Sequence, residues 1–106
     1  MKVILEKKIE NGKYFVSINV SDYTAEEIEK IKTFGAPQIS ISPKSMFLNG
    51  QFVNSLPLHG MNYSFQFDNE AAATNFSNSI TERIKSAVKV LKERKDDFSS
   101  KDEIKI

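Results

Sequence analysis

One histidine, no cysteine and fourteen acidic side chains are the raw material for any chemistry in this 106-residue chain. Without cysteine there is no disulfide, thiolate zinc site, iron–sulfur cluster or cysteine nucleophile. His59 sits in Leu56-Pro57-Leu58-His59-Gly60, and the closest carboxylate on its C-terminal side is Asp68, a whole strand away. A general base or metal ligand needs a second group to set its tautomer and charge. His59 therefore reads as a surface or hydrogen-bonded structural residue. No Gly-rich phosphate loop, His-x-x-x-His pair or Gly-x-Ser-x-Gly elbow occurs. The carboxylates fall in expected helix caps, strand edges and the C-terminal stretch. An enzyme with a dispersed carboxylate site is thus the third-ranked reading, no enzyme the expectation, and no cofactor or metal is anticipated.

Charge points the same way. Fifteen basic and fourteen acidic side chains leave a formal net charge of +1, too little for a protein held to polyanions by bulk electrostatics. Lys2, Lys7, Lys8 and Lys13 gather near Tyr14 and Phe15, but Glu6 and Glu10 offset them. Tyr63, Phe65 and Phe67 alternate as stacking rings do on sheets that bind single-stranded RNA. No basic-Gly-aromatic signature accompanies them, and their strand has no other large apolar row to give the core. Lys85, Lys89 and Lys92 share a helix face with Glu82, Glu93 and Asp96, so that face reads as solvated. A nucleic-acid-binding module using the basic N-terminal hairpin is the alternative reading.

The apolar residues leave a surplus beyond one core, and function is expected there. Met46–Val53 is apolar on both faces of a short hairpin, which must bury both sides or expose a patch. Phe47, Leu48, Phe52 and Val53, with Leu58 and His59 of the following loop, are the candidate partner-binding residues. Near the end of the last helix Val90 leaves the main apolar stripe, so Val88, Val90 and Leu91 cover more than one face. These three are the candidate self-association residues of a homodimer. The preferred reading is a small interaction module that binds a protein partner, as accessory, regulatory or mobile-element proteins do.

The elements that position these residues are legible from turn chemistry and periodicity. Residues 2–20 form a hairpin, with Val3, Leu5 and Ile9 on one face of the first strand and Tyr14, Val16, Ile18 and Val20 on the second. Asn11-Gly12 tolerates the positive φ angles of a type I′ turn, and Asn49-Gly50 repeats the signal. Thr24-Ala25-Glu26-Glu27 has capping-box form, with Tyr23 and Ile28 placed for a hydrophobic staple. Ile28, Ile31 and Phe34 are expected to face the core, and Gly35 and Pro37 end the helix. Ile39 and Ile41 mark a short strand, Leu56–Gly60 a loop, and Met61–Phe67 a strand. From Asn69 to Lys95 runs one long helix, capped by Asp68. Its stripe is Ala73, Phe76, Ile80, Ile84, Ala87, Val88 and Leu91. At about 40 Å it would overhang a sheet of ordinary strands.

The expected fold class is α+β: a mostly antiparallel sheet of five to six strands with two helices on one face. The order is β-β-α-β-(β-β)-β-α, closing on the long C-terminal helix. Residues 1–97 are read as a single domain and 98–106 as a fraying tail. The N-terminus shows no secretory signal and no segment approaches the roughly 18 apolar residues of a membrane span, so a cytoplasmic protein is expected. The excess of lysine over arginine and of isoleucine over leucine is typical of AT-rich bacterial or phage genomes.

Overall fold

The computed structural model describes residues 1–94; the tail expected over 98–106, and a helix end at Lys95, lie outside them. β1 (Lys2–Glu10) and β2 (Lys13–Ser21) form the expected antiparallel hairpin, in register from Glu10↔Lys13 to Lys2↔Ser21. Asn11 and Gly12 take φ angles of 52° and 74°, the left-handed pair that a type I′ turn requires. β7 (Asn62–Phe67) pairs with the other edge of β2, opposing Tyr14 to Phe67 and Val16 to Phe65. Alternation therefore gathers Val16, Ile18, Val20, Phe65 and Phe67 on one buried face. Ser17 and Ser64 bond across the opposite, solvent-facing side.

α1 (Ala25–Phe34) begins as its sequence predicts. The Thr24 amide donates to Glu27 Oε1 at 2.8 Å, and the Glu27 amide donates to Thr24 Oγ1 at 3.1 Å. Gly35, with φ of 81°, ends the helix by donating its N–H to the Ile31 carbonyl. Its inward face differs from expectation. Ile31 is half-buried, but Ile28 and Phe34 are exposed, and the buried residue is Glu27. Among the other elements the helix packs mainly against the end of the second helix, so a ten-residue cylinder covers one narrow strip.

The remaining strands are short and do not join the main sheet. β3 (Gln38–Ser40) pairs with β6 (Ser55–Pro57), and β4 (Met46–Leu48) pairs with β5 (Gln51–Val53). The class is α+β, with a three-stranded sheet ordered β1-β2-β7 and two separate two-stranded ones in place of one five- or six-stranded sheet. β6 falls where proline and glycine predict a loop. Pro57 is tolerated because β6 has a single neighbour, and an edge position leaves no ladder bond to lose.

α2 (Glu70–Glu93) is capped by Asn69, whose side chain accepts from the Ala72 amide at 2.8 Å, rather than by Asp68. Asp68 instead pairs with Lys13 at 3.1 Å. The α2 stripe closes the core over β2 and β7, with the Phe76 ring 5.0 Å from both Phe65 and Phe67. Arg83 ties it to the β3 segment through the Ser40 and Ser42 carbonyls, each at 2.9 Å. Its distal end does not overhang freely, because α1 covers it. Lys30 donates to the Lys92 carbonyl at 2.7 Å, and Arg94 donates to the Gly35 carbonyl. Each helix thus lends a cation to the other's C-terminal carbonyls, where the macrodipole favours it. No helix among the described residues is long and apolar enough to cross a membrane.

Candidate functional site

The most exposed rings lie at the tip of the β4–β5 hairpin. Asn49 and Gly50, at φ of 50° and 82°, turn it by the same device as the first hairpin. The three-residue strands place Met46, Leu48 and Val53 on one face, half-buried against the core. Alternation sends Phe47 and Phe52 to the other, where they oppose one another directly. They remain 62% and 76% exposed, with centroids 5.1 Å apart in an edge-to-face arrangement. Their quadrupoles favour this contact, so the pair is held as one apolar feature. No Asp, Glu, Lys or Arg occurs between Lys44 and Asp68, so the hairpin itself carries no charged side chain.

The six residues expected to form one contact surface are divided by the fold. Phe47 and Phe52 are exposed together, whereas Leu48 and Val53 are partly withdrawn to anchor the hairpin. Leu58 is fully buried, which corrects its assignment as a contact residue. The Leu58 amide donates to the Pro37 carbonyl at 2.8 Å, extending the β3–β6 ladder and turning the side chain into the core. His59 is exposed, its ring set edge-to-face on Tyr23 at 5.3 Å. The Tyr23 hydroxyl donates to the Leu58 carbonyl at 2.9 Å and accepts from the Gly60 amide at 3.0 Å. Burial raises the Tyr23 pKa above its ordinary value, more than the Gly60 bond lowers it. Tyr23 therefore works here as a neutral clamp on the His59 loop.

The expected self-association residues are also separated. Leu91 is fully buried beneath the α1–α2 contact, which removes it from any free surface. Val88 is half-buried in a groove beside β1, while Val90 is 50% exposed beside Pro37 and Arg94. Two residues apart on a helix, Val88 and Val90 point to opposite flanks.

Titratable groups do not converge around the hairpin. Glu27, buried at the start of α1, accepts from the Met1 ammonium at 2.9 Å. Burial alone would raise its pKa, but the Thr24 amide, the ammonium and the Thr24 hydroxyl together lower it. This carboxylate holds a helix start. Among the described residues, no three His, Cys, Asp or Glu side chains are grouped to hold a metal ion. In the basic hairpin Lys8 lies 3.8 Å from Glu10 and Lys13 pairs with Asp68. Phe65 and Phe67 are core rings, unavailable for stacking on a base.

Sequence reasoning missed the free edge of β1. Val3 and Ile4 are 37% and 44% exposed, and Ile9 more so, although Val3, Leu5 and Ile9 read as a core-facing row. α2 packs against β1 as well as β2 and β7, yet it leaves a groove of about 350 Å³ between Val3 and Leu5 and the helix residues Thr81, Ile84, Lys85 and Val88. Lys7, in the middle of that apolar row, is the one signal that marked the strand as an edge. Comparison with protein-family models, curated proteins and solved structures gives no match.

Proposed function

We propose that the chain is a small protein-binding module that engages a larger partner through the Phe47–Phe52 pair. The supporting observation is that paired, solvent-exposed rings sit on a hairpin whose other face is anchored in the core. Exposed aromatic rings held in one geometry lose little side-chain entropy on binding, which is why such residues dominate interface energetics. The uncharged hairpin sets the partner's chemistry: an apolar pocket with a neutral hydrogen-bonding rim for Asn49, Gln51 and Asn54. Association of this kind depends little on salt, because the hairpin itself brings no charge that needs a complement.

The test is capture from a lysate of the source organism by wild-type protein and by the Phe47→Ser/Phe52→Ser variant. Loss of a captured protein by roughly 100-fold or more, with cooperative melting retained and binding unchanged from low to high salt, is the expected result. Equal capture by both proteins, or a variant that no longer melts cooperatively, overturns the reading. Capture that vanishes steeply with salt and nuclease treatment supports the nucleic-acid alternative instead.

A further inference from the structure

The edge of β1 carries more information than its exposure. The Val20 amide donates to the Met61 carbonyl on the β7 side, so even-numbered residues of β2 direct their backbone groups away from β1. Alternation then requires that Lys2, Ile4, Glu6, Lys8 and Glu10 exchange bonds with β2. The N–H and C=O groups of Val3, Leu5, Lys7 and Ile9 point away from the sheet's edge, unmatched by any other strand among the described residues. Four such residues in a row are a template for strand addition.

We propose that this edge takes β1 of a second copy of the chain, antiparallel and centred on Ile4, giving a continuous six-stranded sheet. The charge pattern selects both the occupant and the register. A two-fold axis normal to the sheet keeps like faces together, so it must pass through a residue. Centred on Leu5, the pairing opposes Lys2 to Lys8. Centred on Glu6, Lys7 or Lys8, it sets that residue against its own copy, and centred on Val3 or Ile9 it overlaps only three residues of each β1. Centred on Ile4, it opposes Lys2 to Glu6 twice on the outer face and Val3 to Leu5 twice on the inner face, with no like charges opposed. Opposite charges across a ladder stabilise it and like charges destabilise it.

The same register uses the groove. Val3 and Leu5 flank Ile4 and form its β1 wall, so centring on Ile4 brings the two grooves against the axis. Val88 and Ile84 of the two α2 helices then face one another across it, covering the apolar flank that one copy leaves open. Ion pairs set the register and the groove supplies the apolar burial. The proposal does not depend on the Phe47–Phe52 reading, whose residues lie on a different sheet.

The test begins with mass in solution by sedimentation over a concentration series of the full chain, where a reversible dimer is expected. In one copy Glu6 opposes Ser17 and Lys2 opposes Ser21, both neutral, so charge changes at these positions leave the monomer's own pairing unaffected. Glu6→Lys should weaken dimerisation roughly tenfold or more by opposing Lys2 to a second cation. Lys2→Glu combined with Glu6→Lys reverses both charges and should restore it. Ile4→Asp sets two carboxylates on the axis and should abolish it. Amide exchange on the wild-type protein is the independent readout: Val3 and Leu5 should gain protection as concentration rises. A monomer at every concentration overturns the proposal. So does a dimer indifferent to Glu6→Lys, or one that the double reversal fails to restore.

Discussion

The two Asn-Gly hairpins share a turn and differ in almost everything attached to it. The first carries nine-residue strands, alternates charge with apolar residues, and gives β2 a neighbour on each edge. The second carries three-residue strands and no formal charge, and it pairs with nothing but itself. Length decides the division of labour. A nine-residue strand offers enough backbone to be recognised as a strand, and charge along it can specify a register. A three-residue strand offers little ladder, so only its side chains remain to be read. On the two proposals made above, one hairpin presents backbone and the other presents rings.

The sharpest way to break that contrast is to compare residues that the sequence grouped and the fold separated. Leu58→Ala should cost about 3 kcal/mol in chemical denaturation, because it opens a cavity in a fully buried site. Phe52→Ala, six residues earlier in the chain, should stay within about 0.5 kcal/mol. Similar losses at both positions would mean that the hairpin tip is core.

An intermediate effect is expected at the anchor beside the long hairpin. Glu27 has its pKa lowered in the folded state, so its contribution is fully present above the unfolded value of about 4.3. It is lost as pH falls through the lower, folded value. Glu27→Gln should therefore be about 1 kcal/mol less stable than wild type at neutral pH. That gap should close as the solution is acidified below about pH 4.3, followed by urea denaturation across pH. A gap independent of pH would separate the carboxylate's charge from its capping role.

The smallest effects separate the two turns. Gly12→Ala and Gly50→Ala each force a side chain into the left-handed region, at a cost on the order of 1 kcal/mol. At Gly12 the loss should appear as a lower global melting temperature, since β1 and β2 belong to the main sheet. At Gly50 it should appear mainly as faster amide exchange around Leu48 and Gln51, with a smaller change in melting. Equal global losses would show that the short hairpin is as cooperative as the long one.

Local signals carried most of the elements. Both Asn-Gly turns, the Thr24–Glu27 box and the α2 stripe were readable because each depends on residues within a few positions of one another. Pro57 was not, because whether a proline ends a strand depends on how many neighbours that strand has. Asp68 and Asn69 are both good caps, and only the Lys13 partner on another strand separates them. Ile28 and Phe34 have core-like types, yet α1 meets too narrow a surface to bury them. Of the candidate site, Phe47 and Phe52 were identifiable from pattern, and so was the ambiguity about which face they occupied.

Composition and short-range pattern by themselves determined that cysteine chemistry is absent, that the lone histidine has no sequence neighbour to activate it, and that the class is α+β. These are properties of residue type and of spacings within a turn or two. Only the tertiary structure decided that Leu58 and Leu91 are core, that Ile28 and Phe34 are exposed, and that β1 keeps an open edge. The physical reason is common to all three. Burial depends on what another segment brings from far along the chain, and α2 touches β1 without covering its outer flank.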